Sequence, residues 1–446
     1  TIDYAQQRRN WVPAFHKLSD FMQNADSIGG RGNGRLRLSN YVKYGIFEAG
    51  DIRNSNFNIR RTIYCNKQPK ADKATIGINA NGYWENDESK VVKKITIGLG
   101  DKVYCHEADT LNVMYPHTTK WGAYDPTDDF GYAMVKDIPL MRFAEAYLLR
   151  AEARFRQGNS QGAADDINVL RDRAFKDYRQ IAPGAGKVSA SDISIDFILD
   201  ERIRELVGEE NRRFTLMRTG ELANRVNMMV TKWAEGSEVP FYKYGELNSE
   251  SLGVRLYWER LYSIINGANQ IISANEEDAS AAACVAEAKF FRAYCYNKLV
   301  TGWGAVPLIT ESASNPKTDY TRTPVAEVDV QIEKDITEAI AGLPEVNALA
   351  KESRISKDAA RMVAAEAFLR MGMRDNSYYK KAEDAITPTI SSGNYKLISE
   401  RYGKFTGEAG DYYHDMFRWG NQRRSQGNTE GIWTYEQEYN TSVSGG

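Results

Sequence analysis

IPLMRFAEAYLLRAEARFRQGN, residues 138–159, is the stretch on which the fold turns. Ala144, Tyr147, Leu148, Ala151 and Phe155 fall at i, i+3, i+4, i+7 and i+11, one face of an α-helix. The small Ala151 lets a neighbouring helix approach, and Phe155 fills the space beside it. Gly158 then ends the helix, because a left-handed residue is cheapest for glycine. A second amphipathic helix is predicted through Ala163, Ala164, Ile167, Leu170 and Ala174. Working outward, AEARFRQG at 151–158 aligns without gaps with AEAFLRMG at 365–372, and AEAKFFRA at 286–293 is a looser copy. The 365–372 copy continues into its own partner helix through Tyr378, Ala382, Ala385 and Ile386. Helix, short turn and helix with small-large patterning is tetratricopeptide logic. Each pair has an apolar face that it cannot bury alone, so the pairs are expected to stack. The helices at 139–157 and 356–372 should therefore pack on their followers and bury Ala151 and Ala365.

The rest of the chain differs. Residues 1–135 are rich in Gly, Asn, Asp and Tyr, with short alternating segments such as Lys93–Leu99, and read as loops and short strands. Residues 139–225 and most of 254–390 read as helical, and the tail from Ser391 returns to Gly, Tyr and Trp. The predicted class is mostly α with minor β: tetratricopeptide-like helix pairs plus a loop-rich face, in one compact unit that divides in sequence near residue 229.

Bulk properties narrow the function. With 58 basic and 60 acidic residues among 446, the formal net charge of −2 gives no general pull towards nucleic acid or anionic lipid. No run of about 18 apolar residues is present to span a bilayer as a helix. Thr1–Asn10 carry no apolar signal-peptide core, so the chain is either cytoplasmic or has its export signal outside this stretch. Cys284 and Cys295 sit about 16 Å apart along one predicted helix, too far to bond. Cys65 and Cys105 lie in strand-like segments and could pair, or could be two separate buried thiols. Four scattered histidines without CxxC or HExxH argue against zinc.

GNSQG at 158–162 fits GxSxG, but it sits between two helices and reads as a turn. GGRGNG at 29–34 lacks the third glycine of a dinucleotide loop and reads as a flexible surface loop. Asp125, Asp128 and Asp129 could offer oxygens to calcium, but not at EF-hand spacing. Glycoside hydrolysis needs two placed carboxylates. No local motif supplies them, and Glu152, Glu287 and Glu366 read as exposed repeat faces. The chain reads as a binding protein, neither an enzyme nor dependent on a cofactor or metal. The 26 tyrosines and 8 tryptophans point to ring stacking on flat ligand faces. Rings in polar, Gly-rich loops are the best candidates: Tyr83 and Trp84 in NGYWENDE, Trp121 and Tyr124 in KWGAYDPTDD, and Trp233 before the helix at 256. Asn81, Asn86 and Asp125 are candidate polar partners.

Several segments together resemble the SusD/RagB family of outer-membrane nutrient-binding lipoproteins. YWERLYSIINGANQII (257–272) and AEAKFFRAYCYNKLVTGWGAVPLI (286–309) look like the family's first tetratricopeptide helices. Residues 138–159 look like a later helix, and ILDERIRELVGEENRRFTLMRTG (198–220) is similar to a near-terminal segment. In the family the two halves come in the other order: residues 229–446 resemble its N-terminal half, and 1–228 its C-terminal half. Either a circular permutation or the numbering accounts for the exchange, and the ends TSVSGG and TIDYAQQ are expected to lie close in space. The family's lipid-bearing cysteine has no counterpart near either end. The resemblance implies non-catalytic capture of an oligosaccharide or peptide at the cell surface. It also implies lipid anchoring to the outer membrane and delivery to a SusC-like TonB-dependent barrel. The competing class is a tetratricopeptide adaptor for protein segments, which would lack the long aromatic inserts before Lys136.

Overall fold

The computed structural model describes residues 9–106, 113–127, 136–225, 247–275, 277–312 and 318–436. The region before residue 138 is built of short antiparallel ladders. β1 (Ile59–Arg60) pairs with β7 (His117–Thr118), and β2 (Thr62–Tyr64) with β6 (Lys102–Tyr104). β3 (Thr75–Ile78) is flanked by β4 (Trp84–Glu85) and β5 (Lys93–Thr96). Ladders this short cannot carry a core on their own. They rest on a small apolar cluster that includes Phe15, Ile63, Ile76, Trp84, Ile97 and Val103.

β8 (Ile138–Arg142) runs directly into α1 (Phe143–Arg156), and α2 (Ser160–Ala174) folds back on it. Gly158 takes φ +83° in the turn. The Asn159 side chain caps α2 by accepting from the Gly162 amide at 2.8 Å, so GNSQG is a helix-to-helix turn. α3 (Ile195–Leu206) and α4 (Arg212–Arg218) follow. The remaining scaffold is α5 (Leu252–Asn275), α6 (Ala282–Trp303), α7 (Val325–Gly342), α8 (Lys357–Gly372) and α9 (Ser377–Ser391). Consecutive members pack as pairs, and α9 also packs on α1. Ala151 and Ala365 are fully buried at the pair interfaces, as their spacing predicts. The repeats share one apolar core, where Phe143 and Ala146 of α1 meet Phe290, Ile336 and Ala360 of the other pairs. β9 (Gly431–Tyr435) pairs antiparallel with β8, so strands from the two halves of the sequence form one ribbon. Among the described residues no helix is long and apolar enough to cross a membrane.

Several expectations change here. GGRGNG is a packed seam, not a flexible loop. A Cβ on Gly30 would collide with the Ala123 carbonyl, and one on Gly32 with the Val12 and Pro13 carbonyls. The amides of Asn33 and Leu36 donate to the Arg9 and Asn10 carbonyls at 2.6 and 2.8 Å. Cys65 and Cys105 are separate buried thiols. Both face inward in the β2–β6 ladder, but the register sets them four residues apart along it, about 14 Å, beyond disulfide reach. Glu152 is not on an exposed face. It is buried and takes both Arg218 Nη atoms at 2.7 and 2.8 Å. Residues 1–8 and 437–446, whose proximity the family order predicts, lie outside the described residues.

The loop-rich region meets the helices through buried charge. In DERIREL (200–206), Glu201 and Glu205 are one helical turn apart and fully buried. Arg53 donates to Glu201 at 2.7 Å and to Asp51 at 2.7 Å. Arg173 bridges Glu205 and Glu430 at 2.6 Å each. Arg142 binds Glu430 at 2.9 Å and Glu209 at 2.6 Å. Lys120 reaches Glu209 at 2.5 Å and the Tyr413 hydroxyl at 3.0 Å. Neighbouring arginines hold Glu201 down at about 2, against the desolvation that would raise it. One connected network thus ties loops near 51, 120 and 413 to α2, α3 and the residue before β9.

Candidate functional site

Two clefts open side by side on the loop-rich face, with volumes of about 750 and 520 Å³, and they share Asn56 and Thr62. Both sizes lie in the range of small-ligand sites. Their walls follow from strand alternation. In the β2–β6 ladder Ile63 pairs with Val103 and both point into the core. Tyr64 and Tyr104 therefore point outward from diagonal positions, 56% and 46% exposed. Tyr44 is exposed at the smaller cleft, with the Arg61 guanidinium 5.8 Å from its ring centre. Tyr83, half-buried, lines the same cleft with Asn81. Their loop is held by Asn79, whose Oδ1 accepts from the Asn81 and Tyr83 amides at 3.0 and 3.1 Å.

The larger cleft runs from Tyr64 past Phe57 and Tyr124 to Phe405 and Trp419. Phe57 is exposed on one side and stacks on His414 on the other, ring centres 6.1 Å apart. Asn56 shapes this loop by accepting from the Arg61 and Thr62 amides at 2.8 and 2.9 Å. Arg418 lies 3.5 Å over the centre of the Phe405 ring and is bound by Asp26 at 3.0 Å and Glu408 at 2.7 Å. Lys404 sits 4.9 Å from the Phe405 ring centre and 5.7 Å from that of Trp419. Burial, then the positive charge of Arg60, brings His117 down to about 3 and His414 well below the usual imidazole range, so both are neutral at pH 7.

The five sequence-predicted rings separate. Tyr83 and Tyr124 line the clefts. Trp84 is buried in the cluster beneath β3 and β4, so it packs instead of facing ligand. Trp121 is likewise buried, packed with Ile59, Ile203 and Val207, and its Nε1 donates to the Gly208 carbonyl at 2.7 Å. Trp233 lies outside the described residues. Of the polar candidates, Asn81 lines a cleft, and Asn86 does not. Asp125 closes its own turn by accepting from Thr127 N and Oγ1 at 2.8 and 2.7 Å. Among the described residues no cluster of three or more His, Cys, Asp or Glu could hold a metal ion. Tyr44, Phe57, Tyr64, Tyr104, Phe405 and Trp419 were not singled out from sequence. For Tyr64 and Tyr104 the signal is present in TIYCN and KVYCH, where an inward Ile-x-Cys or Val-x-Cys pattern leaves the tyrosine outside.

The helix-pair scaffold thus carries ring-lined, polar clefts of a size suited to a small ligand. The chain matches the SusD family model over residues 39–253, and over residues 185–369 the model described as "Starch-binding associating with outer membrane". The two matches together run from residue 39 to 369, so over most of its length the chain is similar to the SusD family. It is 40% identical to the starch-binding protein SusD of Bacteroides thetaiotaomicron over 101 residues, 23% of this chain and 16% of that protein's length. Solved structures similar to parts of it include a SusD-like carbohydrate-binding protein from Bacteroides fragilis, at 25% identity and TM-score 0.34, covering 44% of this chain and 36% of that one. A laminarin-binding SusD-like protein aligns at 25% identity and TM-score 0.32, covering 36% of each chain.

Proposed function

We propose that this protein captures a glycan on its loop-rich face without cleaving it. The observation that carries the reading is the gathering of exposed rings around two joined clefts: Tyr44, Phe57, Tyr64 and Tyr104, beside Tyr83 and Tyr124. Exposed rings flanked by amide and hydroxyl groups suit a sugar, whose C–H face stacks while its hydroxyls take hydrogen bonds. The two acids of the larger cleft, Asp26 and Glu408, are both committed to Arg418, which favours holding over hydrolysis. The starch-binding description of the matching family supports a glycan over a peptide, and its outer-membrane association supports a cell-surface location. Lipid anchoring and delivery to a SusC-like TonB-dependent barrel complete the proposal, with the repeat faces as the scaffold for docking.

The test is calorimetric titration with neutral oligosaccharides, starting from maltoheptaose and laminarin fragments, on the wild type and on Tyr44→Ala and Tyr104→Ala. Binding that weakens in the variants while the melting midpoint holds supports the reading. Cleaved product from the wild type, or unchanged affinity in both variants, rejects it.

A further inference from the structure

The wall of the larger cleft contains a cation that no carboxylate among the described residues pairs with. Arg60 ends β1 and is half-buried in the wall of that cleft. Of the other cations near this cleft, Lys404 meets only the Phe405 and Trp419 rings, and the arginines are engaged. Arg61 donates to Asn54 Oδ1 at 2.7 Å and to the Ile59 carbonyl at 3.2 Å, Arg53 is locked among Asp51 and Glu201, and Arg418 holds Asp26 and Glu408. Among the described residues the Arg60 guanidinium makes no hydrogen bond, ion pair or ring contact. The Cys105 thiol and then Asp26 act on it from a distance, and Asp26 is already bound to Arg418. The two imidazoles beside it, His117 and His414, are neutral and supply no counter-charge. Burial pushes the Arg60 guanidinium down to about 10, which leaves it charged at neutral pH. A half-buried cation without a partner is destabilising to hold, and a planar guanidinium fits a carboxylate or sulfate through two parallel hydrogen bonds. His414, next to Arg60, is the ring on which Phe57 stacks, so the charge stands close to an exposed ring.

We propose that Arg60 makes the larger cleft selective for an acidic sugar, its guanidinium taking the carboxylate or sulfate of a residue stacked on the ring wall. This rests on the glycan-binding reading and names the class of sugar. The shared chemistry is an oxyanion on a pyranose ring, and the two sources separate in the test.

The experiment titrates the full chain with oligogalacturonate, which carries carboxylates only, a carrageenan oligosaccharide, which carries sulfates only, and maltoheptaose, which is neutral. Each titration is run at low and high salt. At low salt one of the acidic ligands should bind about tenfold or more tighter than the neutral one, and salt should erode that margin. Arg60→Gln should reduce the acidic-to-neutral ratio about tenfold, with no loss in melting midpoint, since it removes an uncompensated charge. Arg60→Lys, which keeps the charge but not the fork, should fall between. Neutral binding equal to acidic binding, or a ratio unmoved in Arg60→Gln, overturns this inference and leaves glycan capture standing. Failure of all three ligands to bind overturns both.

Discussion

The helix pairs and the loop-rich face are held by different balances of force. Where α1, α6, α8 and α9 meet, the core is alanines and rings, with Ala146, Ala293, Ala365, Phe290 and Phe368 buried, and buried charge is limited to local pairs such as Arg292–Asp335, Arg370–Asp329 and Arg218–Glu152. Under the loops the contacts are Arg53, Arg142, Arg173, Glu201, Glu205 and Glu430, equally buried and joined in ion pairs. Apolar packing is insensitive to pH and tolerant of small displacements. A buried ion network is neither, because each member is costly once its partner leaves. The helix pairs therefore act as the lasting frame, and the binding face depends on a set of fixed geometries.

The comparison is broken most thoroughly by acid. Glu201 is held at about 2 against an ordinary 4.5, chiefly by Arg53 once burial is overcome, and Glu205 is held well down by Arg173 and Arg142. Groups with a depressed folded-state value stabilise the protein above their unfolded value, and the contribution is lost as pH falls through the folded one. Between pH 4.5 and about 2 the loop-rich face, where several such carboxylates meet in one network, should lose amide protection before the helix pairs, which hold only separate pairs such as Glu152–Arg218, as read by hydrogen exchange. Simultaneous loss in both regions would contradict the division. Next in size, Glu205→Ala leaves Arg173, Arg142 and Arg53 each short of a carboxylate and should cost about 3–5 kcal/mol in chemical unfolding. A cost under about 1 kcal/mol would mean that the network is slack. Ala151→Leu tests the other side: overpacking α1 against α2 should cost about 1–3 kcal/mol, with the same cost at pH 4 and pH 7. The smallest stability effect belongs to Tyr104→Ala, within about 0.5 kcal/mol, since its ring is half in water.

Reading the sequence worked where one periodicity had one meaning. AEARFRQG and AEAFLRMG announce their pairs because alanine beside phenylalanine on one face has little use except close helix contact. DERIREL, in contrast, looks from sequence like a solvated charged helix, and burial of Glu201 and Glu205 depends on Arg53, Arg142 and Arg173 arriving from distant segments. The same limit separates Tyr83 from Trp84. They are adjacent in one Gly- and Asn-rich stretch, and only the pairing of Ile78 with Trp84 in the β3–β4 ladder fixes which ring faces the core. The glycine run at 29–34 misled for a related reason: absence of side chains reads as freedom, whereas here it is the condition for close packing.

That seam separates two kinds of change. Gly30 and Gly32 admit no methyl group, so the backbone that carries Gly122 to Tyr124 along the cleft is fixed at those points. Tyr64 and Tyr104 stand on the outer side of the β2–β6 ladder and Tyr44 on a short helical turn, with half or so of each residue in solvent and no place in the apolar clusters. A chain diversifying toward a new ligand can exchange those rings one at a time at little cost in stability, while almost any substitution in the glycine seam would be rejected before its effect on binding could matter. The molecule thus keeps what must stay constant and what is free to vary in different segments of one binding face.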